Sequence, residues 1–214
     1  MPVDWVTILN GWYVMMVSVS LKAQQSAVTR KAILTSGLKL FAKYGFSTTS
    51  IDDIARAAGI TKGAVYWHFV NKEELFQSIL EEIRARWVET VQQPLSKETA
   101  PVSRLEALFD CYSKLFAEAP EICLFLQRIL LEGHKEFSPQ VGRVFAQTGR
   151  FIGKIIDDGK VQGVFRNDLD SMVTAHMTLG NLSGATQQSL ANRSLTLTAL
   201  LGEAKSMTMA RISR

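Results

Sequence analysis

Residues 47–72 read STTSIDDIARAAGITKGAVYWHFVNK, and two short helical patterns joined by a glycine lie within them. The first pattern carries apolar residues at the spacing of one helical stripe: Ile51, Ile54, Ala55 and Ala58. Ser50 precedes it as an N-cap, because its hydroxyl can accept a hydrogen bond from an unpaired amide one turn later. Gly59 ends it, since glycine adopts the left-handed conformation that closes a helix at little cost.

A second helix is predicted to begin after Thr61, its N-cap, with Val65 and Phe69 facing inward. Two short helices joined by a turn of three or four residues form a helix-turn-helix. The outward residues of the second helix are polar, small or aromatic, where a soluble helix usually carries Glu, Lys and Gln: Lys62, Gly63, Tyr66, Trp67 and His68. This face is suited to a partner, and the major groove of B-DNA is wide enough to admit it.

The stretch resembles the DNA-binding domain of the TetR family of transcriptional regulators. The resemblance is carried by TSIxxIAxxAG over 49–59 and TKGxxYWHFxNKxxL over 61–75; it is dense over 28–90 and one of general layout beyond. It implies an all-α protein of about nine helices. A three-helix helix-turn-helix domain that binds DNA would precede a larger helical domain for effector binding and dimerisation.

We predict DNA contacts from the second helix of the motif and its flanks. Lys62 and Lys72 are long cations that can pair with phosphates, and Lys62 can also reach guanine O6 and N7. Gly63 has no side chain, so the helix can approach base edges closely. Tyr66 can donate its hydroxyl to a phosphate while its ring packs.

Four further residues have both a DNA-binding and a structural interpretation. The resemblance implies that Trp67 and His68 contact the DNA backbone, whereas packing on the first or fourth helix is the alternative. Thr61 is a cap first and a phosphate contact second. Thr49 lies in a loop whose hydroxyls suit a phosphate oxygen, or else serve as caps.

Positive charge is concentrated in the same part of the chain. Eight lysine and arginine residues and two aspartates lie between 22 and 72, a net charge of +6 where the whole chain carries +4. Such an excess is typical of a surface that approaches phosphates, although a solvated face has the same composition.

Other chemistry is not indicated. The patterns GxxxxGK[ST], HExxH and GxSxG are missing from the sequence, so we expect no enzyme and no cofactor. The two cysteines, Cys111 and Cys123, form no CxxC or Cys/His group, so no metal site is predicted. We expect both to be reduced in a cytoplasmic protein, with a redox pair as the alternative.

The first 21 residues differ from the rest in composition. We expect 1–21 to be an N-terminal extension, either disordered or translated from an upstream start codon, with Met15 or Met16 as the true beginning. A packed arm and a membrane anchor are the alternatives. The apolar run from Val14 to Val19 is far shorter than the ~20 residues that cross a bilayer.

The remaining chain divides into a DNA-binding domain over 22–72 and an effector-binding and dimerisation domain over 73–214. A first helix is predicted over 27–44 and a fourth over 72–92, closed by Pro94 and followed by a linker to Pro101. Five further helices are predicted, at 102–118, 120–133, 138–162, 168–191 and 194–211.

The second domain is expected to supply a pocket and a dimer contact. Aromatic, sulfur-bearing and histidine residues could line an apolar cavity for a lipophilic effector: Trp87, Phe109, Tyr112, Phe116, Phe125, Phe145, Met172 and His176. Small residues in the last two helices favour close helix approach, and the resemblance places the homodimer interface there. Plain intramolecular packing is the alternative for both groups.

The sequence thus predicts a repressor that binds a palindromic DNA operator as a dimer and is released by an apolar small molecule. Two alternatives remain open. One is an activator or DNA-organising protein of the same fold without a small ligand. The other is a helical small-molecule-binding protein or enzyme without DNA function.

Overall fold

A computed structural model describes residues 5–132 and 138–214, and the all-α prediction is confirmed. The helices are α1 (Trp5–Tyr44), α2 (Ile51–Ala58), α3 (Lys62–His68), α4 (Lys72–Trp87), a π-helical turn (Val88–Gln92), α5 (Gln93–Lys97), α6 (Pro101–Glu118), α7 (Pro120–Glu132), α8 (Ser138–Val161), α9 (Ser171–Ala191) and α10 (Leu197–Ile212). No helix in the described ranges is long and apolar enough to span a membrane.

The predicted caps of the helix-turn-helix are confirmed. Ser50 accepts from the Asp53 amide, and the Asp53 carboxylate accepts from the Ser50 amide in return, which completes a capping box. Gly59 ends α2 with φ of 70°. Thr61 accepts from the Ala64 amide at the start of α3. These local bonds fix where α2 and α3 begin and so set the turn between them.

Two helix bounds differ most from the sequence prediction, while α9 and α10 each begin three residues after the predicted 168 and 194. The first helix begins at Trp5 rather than at 27, so it includes most of the N-terminal extension. Whether 1–21 belong to the native protein stays a prediction, and residues 1–4 lie outside the described part. The second difference is at Pro94, which does not end the helical path after α4.

The helical path after α4 continues through the π turn into α5, where Pro94 occupies the first turn. The Gln93 amide donates to the Val88 carbonyl five residues back, and Pro94 has no amide hydrogen to donate, so the wider π turn accommodates the proline without ending the helix. Leu95 is buried, so the predicted polar linker is reduced to the three residues between α5 and α6.

The apolar interior forms two clusters. One fills the space between α1, α2, α3 and α4 and also takes in residues of later helices: Leu115, Ala119, Ile122, Phe125, Ile129 and Val141. The other lies among α6, α8, α9 and α10. Packing therefore continues across the predicted domain boundary at 72, and α7 supplies much of that continuity.

Candidate DNA-binding surface and effector cavity

The outward face of α3 is exposed. Val65 is fully buried beneath it, whereas Tyr66 is 49% and Trp67 is 73% exposed. A tryptophan this exposed loses the free energy of burial, about 2–3 kcal/mol for a large apolar side chain. Such exposure marks a surface that has another partner.

Lys62 begins α3, and its ammonium lies 2.7 Å from the Asp52 carboxylate on α2. The hydrogen bond to Asp52 raises the pKa of Lys62. Both side chains are about half exposed, so the pair is only weakly stabilised, and the predicted phosphate contact of Lys62 stays a prediction. Gly63 follows, and a Cβ built there would meet only the Thr61 hydroxyl at 3.9 Å. The fold itself therefore leaves room for a side chain at Gly63.

Lys72 is partly buried in the unit formed by α1 to α4, which we call the head. Its ammonium donates to the carbonyls of Phe46 and Thr49 at 2.8 and 3.0 Å and lies 4.3 Å from the centroid of the Phe46 ring. These contacts tie the loop after α1 to the start of α4. Its predicted DNA contact stays a prediction, and the structure adds this structural role.

Thr49 is buried, with 3% exposure, and its hydroxyl donates to the Gly45 carbonyl at 2.7 Å. This placement contradicts the predicted phosphate contact by the Thr49 side chain, because the hydroxyl closes the turn after α1 instead. The neighbouring Thr48 is exposed, although its hydroxyl donates to the Tyr44 carbonyl. Thr61 is exposed and acts as the cap of α3, as predicted.

Trp67 and His68 lie edge to face, with ring centroids 4.6 Å apart. His68 is half-buried, and burial, followed by the nearby Arg30 charge, lowers the pKa of its imidazole. Arg30 projects from α1 over the Phe69 ring at 5.1 Å. The sequence prediction gave Arg30 no packing role, because its only signal was its charge within the cationic segment.

An internal cavity of about 90 Å³ lies between α4, α6, α7, α8 and α9. Three of the eight predicted lining residues border it: Trp87, Tyr112 and Phe145. Others that sequence reasoning did not select include Val91, Leu126, Gln127 and Ser183. Positions of this kind carry no sequence signal that separates a cavity wall from ordinary core.

The five other predicted lining residues lie away from this cavity. Phe125 packs among head phenylalanines, and Phe109 is buried in the second core. Phe116 is half-buried on α6 outside both clusters. Met172 and His176 on α9 sit against glycines of α8, where a Cβ would lie 3.1 Å from the Met172 sulfur and 2.9 Å from His176 Nε2.

The cavity wall is mostly apolar, with one hydroxyl pair close to it. The Tyr112 hydroxyl lies 3.1 Å from Thr186 Oγ1, and Thr186 donates its own proton to the Leu182 carbonyl. Tyr112 is therefore the donor to Thr186, and its oxygen, which also contacts the Cys123 thiol, can still accept a hydrogen bond. Burial raises the pKa of Tyr112, so the phenol stays neutral. None of the described residues that line the cavity is charged.

A face of small and apolar residues runs along α9 and α10; we call it the α9–α10 face. Val173, Met177 and Met207 are 61–62% exposed. A Cβ built at Gly180 or Gly202 would have nothing within 4 Å. These glycines therefore do not make room for a neighbour within the chain.

The described part of the chain shows no metal-binding group and no disulfide bond. It contains no group of three or more His, Cys, Asp and Glu residues placed to hold a metal ion. Cys111 and Cys123 are free thiols, and burial raises the pKa of both.

A capped recognition helix on a cationic head, joined to a helical domain with an internal cavity, defines a helix-turn-helix regulator. Residues 33–79 match the family described as bacterial regulatory proteins, tetR family. Residues 80–207 match the family described as YsiA-like protein, C-terminal region. The chain belongs to the TetR family and is a DNA-binding transcriptional regulator.

Relatives and solved structures agree with this assignment. The chain is 30% identical over 181 residues to a probable acrEF/envCD operon repressor of Escherichia coli K12, with 77% of each covered. It is 50% identical over 58 residues, 27% of each chain, to the regulator AcrR of Shigella flexneri. The fold matches that of the regulator FadR from Bacillus subtilis in complex with stearoyl-CoA (TM-score 0.75, 18% identity, 85% of this chain and 98% of that one).

Proposed function

We propose that the chain is a ligand-released repressor that binds a palindromic operator as a homodimer. The observation that carries the proposal is the outward face of α3, where Lys62, Tyr66 and Trp67 stay exposed above a capped and buried two-helix core. One short recognition helix reaches only a few base pairs, so two heads related by a two-fold axis are needed for affinity. Two-fold symmetry in the protein requires an inverted repeat in the DNA.

Selection from random duplex DNA tests the operator half of the proposal. The purified chain should enrich an inverted repeat with half-sites about one helical turn apart, or a multiple of it. Footprinting should show both half-sites protected, and transcription from a promoter that overlaps the site should fall. No enrichment contradicts DNA recognition, whereas a rise in transcription favours the alternative of an activator.

The α9–α10 face supports dimerisation through the last two helices. Its exposed glycines allow the close helix approach that a four-helix interface between two copies needs. Met177→Arg should give a monomer in analytical ultracentrifugation, because a charge cannot be buried unpaired. Val161→Arg is the matched control, since Val161 is 89% exposed on α8. A dimer that survives Met177→Arg contradicts this interface.

The lining of the cavity supports a neutral, mostly apolar effector that donates a hydrogen bond to Tyr112. The complex of Bacillus subtilis FadR with stearoyl-CoA makes a fatty acyl thioester the second candidate. Titration of the operator complex with neutral apolar compounds and with stearoyl-CoA separates the two. If neither class weakens operator binding, the release half of the proposal fails.

A further inference from the structure

We propose that Arg128 on α7 fixes the orientation of the DNA-binding head and transmits the state of the cavity to it. This inference rests on the proposed function and names the regulatory contact of the same site. Its basis is a set of hydrogen bonds at the end of α1, made across 85 and 86 residues of chain.

The hydrogen bonds from Arg128 replace helical hydrogen bonds that are missing at the C-terminal end of α1. At Gly45 the chain leaves the helix with φ of 88°, so the last carbonyls of α1 need other donors. Arg128 Nε donates to the Ala42 carbonyl at 3.1 Å, and Nη2 donates to the Lys43 carbonyl at 3.0 Å. The Phe46 amide, which would have continued the helix to Ala42, donates to Glu132 Oε2 at 3.4 Å.

Arg128 and Glu132 act as one unit. They are four residues apart on α7, and Arg128 Nη1 lies 3.2 Å from Glu132 Oε1. One side chain binds the carbonyl side and the other the amide side of the break in α1. We call this arrangement the α7 clamp. A planar guanidinium that donates in three directions fixes the orientation of its partners more strongly than a lysine would.

The same helix forms a wall of the cavity. Cys123, Leu126, Gln127 and Leu130 line it from α7. On the head side of α7, Phe125 is fully buried between Phe41 and Phe76, with centroids 6.4 and 5.4 Å away. A single rigid helix therefore contacts both the cavity and the head.

The α7 clamp couples small movements of α7 to the position of the head. Hydrogen bonds of 3.0–3.1 Å are lost beyond about 3.5 Å, so a shift of α7 by more than about 0.5 Å must either break the clamp or move the head. The clamped residues lead directly into the loop that Lys72 ties down and then into α2. Movement at 42–46 therefore reorients the recognition helix.

A cavity-filling substitution tests the inference without any effector. Ser183 lines the cavity from α9, opposite α7, and a phenyl ring at this position should crowd the ≈ 90 Å³ space and displace α7. Operator affinity is measured by fluorescence anisotropy for the wild type, Ser183→Phe, Arg128→Ala and the double variant, on DNA selected by the wild type. Thermal melts confirm folding, and Thr148→Phe fills the cavity from α8 if Ser183→Phe does not fold.

We expect the filling substitution to weaken operator binding roughly tenfold in the wild-type background, an ordinary allosteric coupling, and less than about twofold with Arg128→Ala. Arg128→Lys should behave like Arg128→Ala. Lys114→Ala, which removes an exposed lysine of α6, should keep the tenfold effect. The salt dependence of operator binding should not change with Arg128→Ala, because Arg128 neutralises no phosphate.

Two results overturn the inference. In one, Ser183→Phe still weakens operator binding severalfold in the Arg128→Ala background, which shows that the coupling does not pass through Arg128. In the other, neither folded filling variant affects operator binding. If the wild type itself selects no DNA, the proposed function has failed, which is a separate result.

Discussion

The DNA-binding head and the effector domain differ in how their functional residues are brought into position. In the head, α2, α3 and α4 each begin with a side-chain cap, from Ser50, Thr61 and Asn71. In the effector domain, α9 and α10 also begin with side-chain caps, from Asp170 and Thr196, but α6 begins after Ala100 without one, and its position is set by packing. The recognition surface is therefore specified by neighbouring residues, whereas the cavity depends on residues brought together from five helices.

α7 contributes to both regions. It belongs to the effector domain by its place in the chain, yet Phe125 completes the aromatic cluster of the head. The head is therefore not an independent unit in this protein. Substitutions on α7 should therefore affect head and effector domain together.

The largest expected effect is from Phe125→Ala, which should cost about 3–5 kcal/mol of unfolding free energy, because it empties a fully buried site. Urea denaturation followed by tryptophan fluorescence measures it. Phe116→Ala on the half-buried side of α6 is the control and should cost much less. Equal losses for both variants would show that Phe125 is not shared core.

Gly45→Ala should destabilise the protein more than Gly59→Ala. Both glycines have positive φ, at 88° and 70°, so each substitution adds about 1 kcal/mol or more of backbone strain. Only at Gly45 would the new Cβ overlap Glu132 of the α7 clamp, whereas at Gly59 nothing lies within 4 Å. The difference in chemical-denaturation midpoint between the two variants measures the cost of the overlap with Glu132. Equal midpoints would argue against the α7 clamp.

Gly63→Ala should separate folding from recognition. The substitution meets no steric barrier in the chain and raises helix propensity, so stability should rise by up to about 1 kcal/mol. Operator affinity should nevertheless fall, because the methyl group prevents close approach to base edges. Thermal melts and DNA titration are the two measurements. Unchanged affinity would place Gly63 away from the DNA.

The smallest expected effect is on pH dependence. The lowered pKa of His68 means that the unfolded chain binds its proton more readily than the folded chain. Unfolding free energy should therefore decline as the pH falls below the ordinary histidine value of about 6.5 and level off once the folded state also binds the proton. His68→Gln should flatten this part of the profile. An identical profile in the variant would assign the decline to another group.

Much of the head could be predicted from sequence because its signals are local. Ser50 and Gly59 predicted both bounds of α2 correctly, and Thr61 predicted the start of α3, since a cap acts within one turn of its own helix. The hydrogen bonds of Thr49 and Lys72 could not be predicted in this way. Their bonds depend on how the loop after α1 folds back, and a hydroxyl or ammonium in a loop has the same sequence signal in either role.

The effector domain was predictable in layout but not in detail. Tyr112 and Phe125 are both aromatic residues on apolar helices, yet one borders the cavity and the other the head. Which side a residue faces depends on the placement of α7 between two cores, and helical periodicity does not contain that information. The π turn was missed for a similar reason, since Pro94 indicated an end to the helix and not a change of register.

The most direct test of DNA recognition by α3 is the operator affinity of the double variant Lys62→Ala, Tyr66→Ala. Each dimer would lose four contacts, so the affinity should drop at least about 100-fold, with a shallower dependence on salt. The melting temperature should stay near that of the wild type, because both side chains are about half exposed. Affinity within about twofold of the wild type at the same salt concentration would contradict the assignment of α3 as the recognition helix.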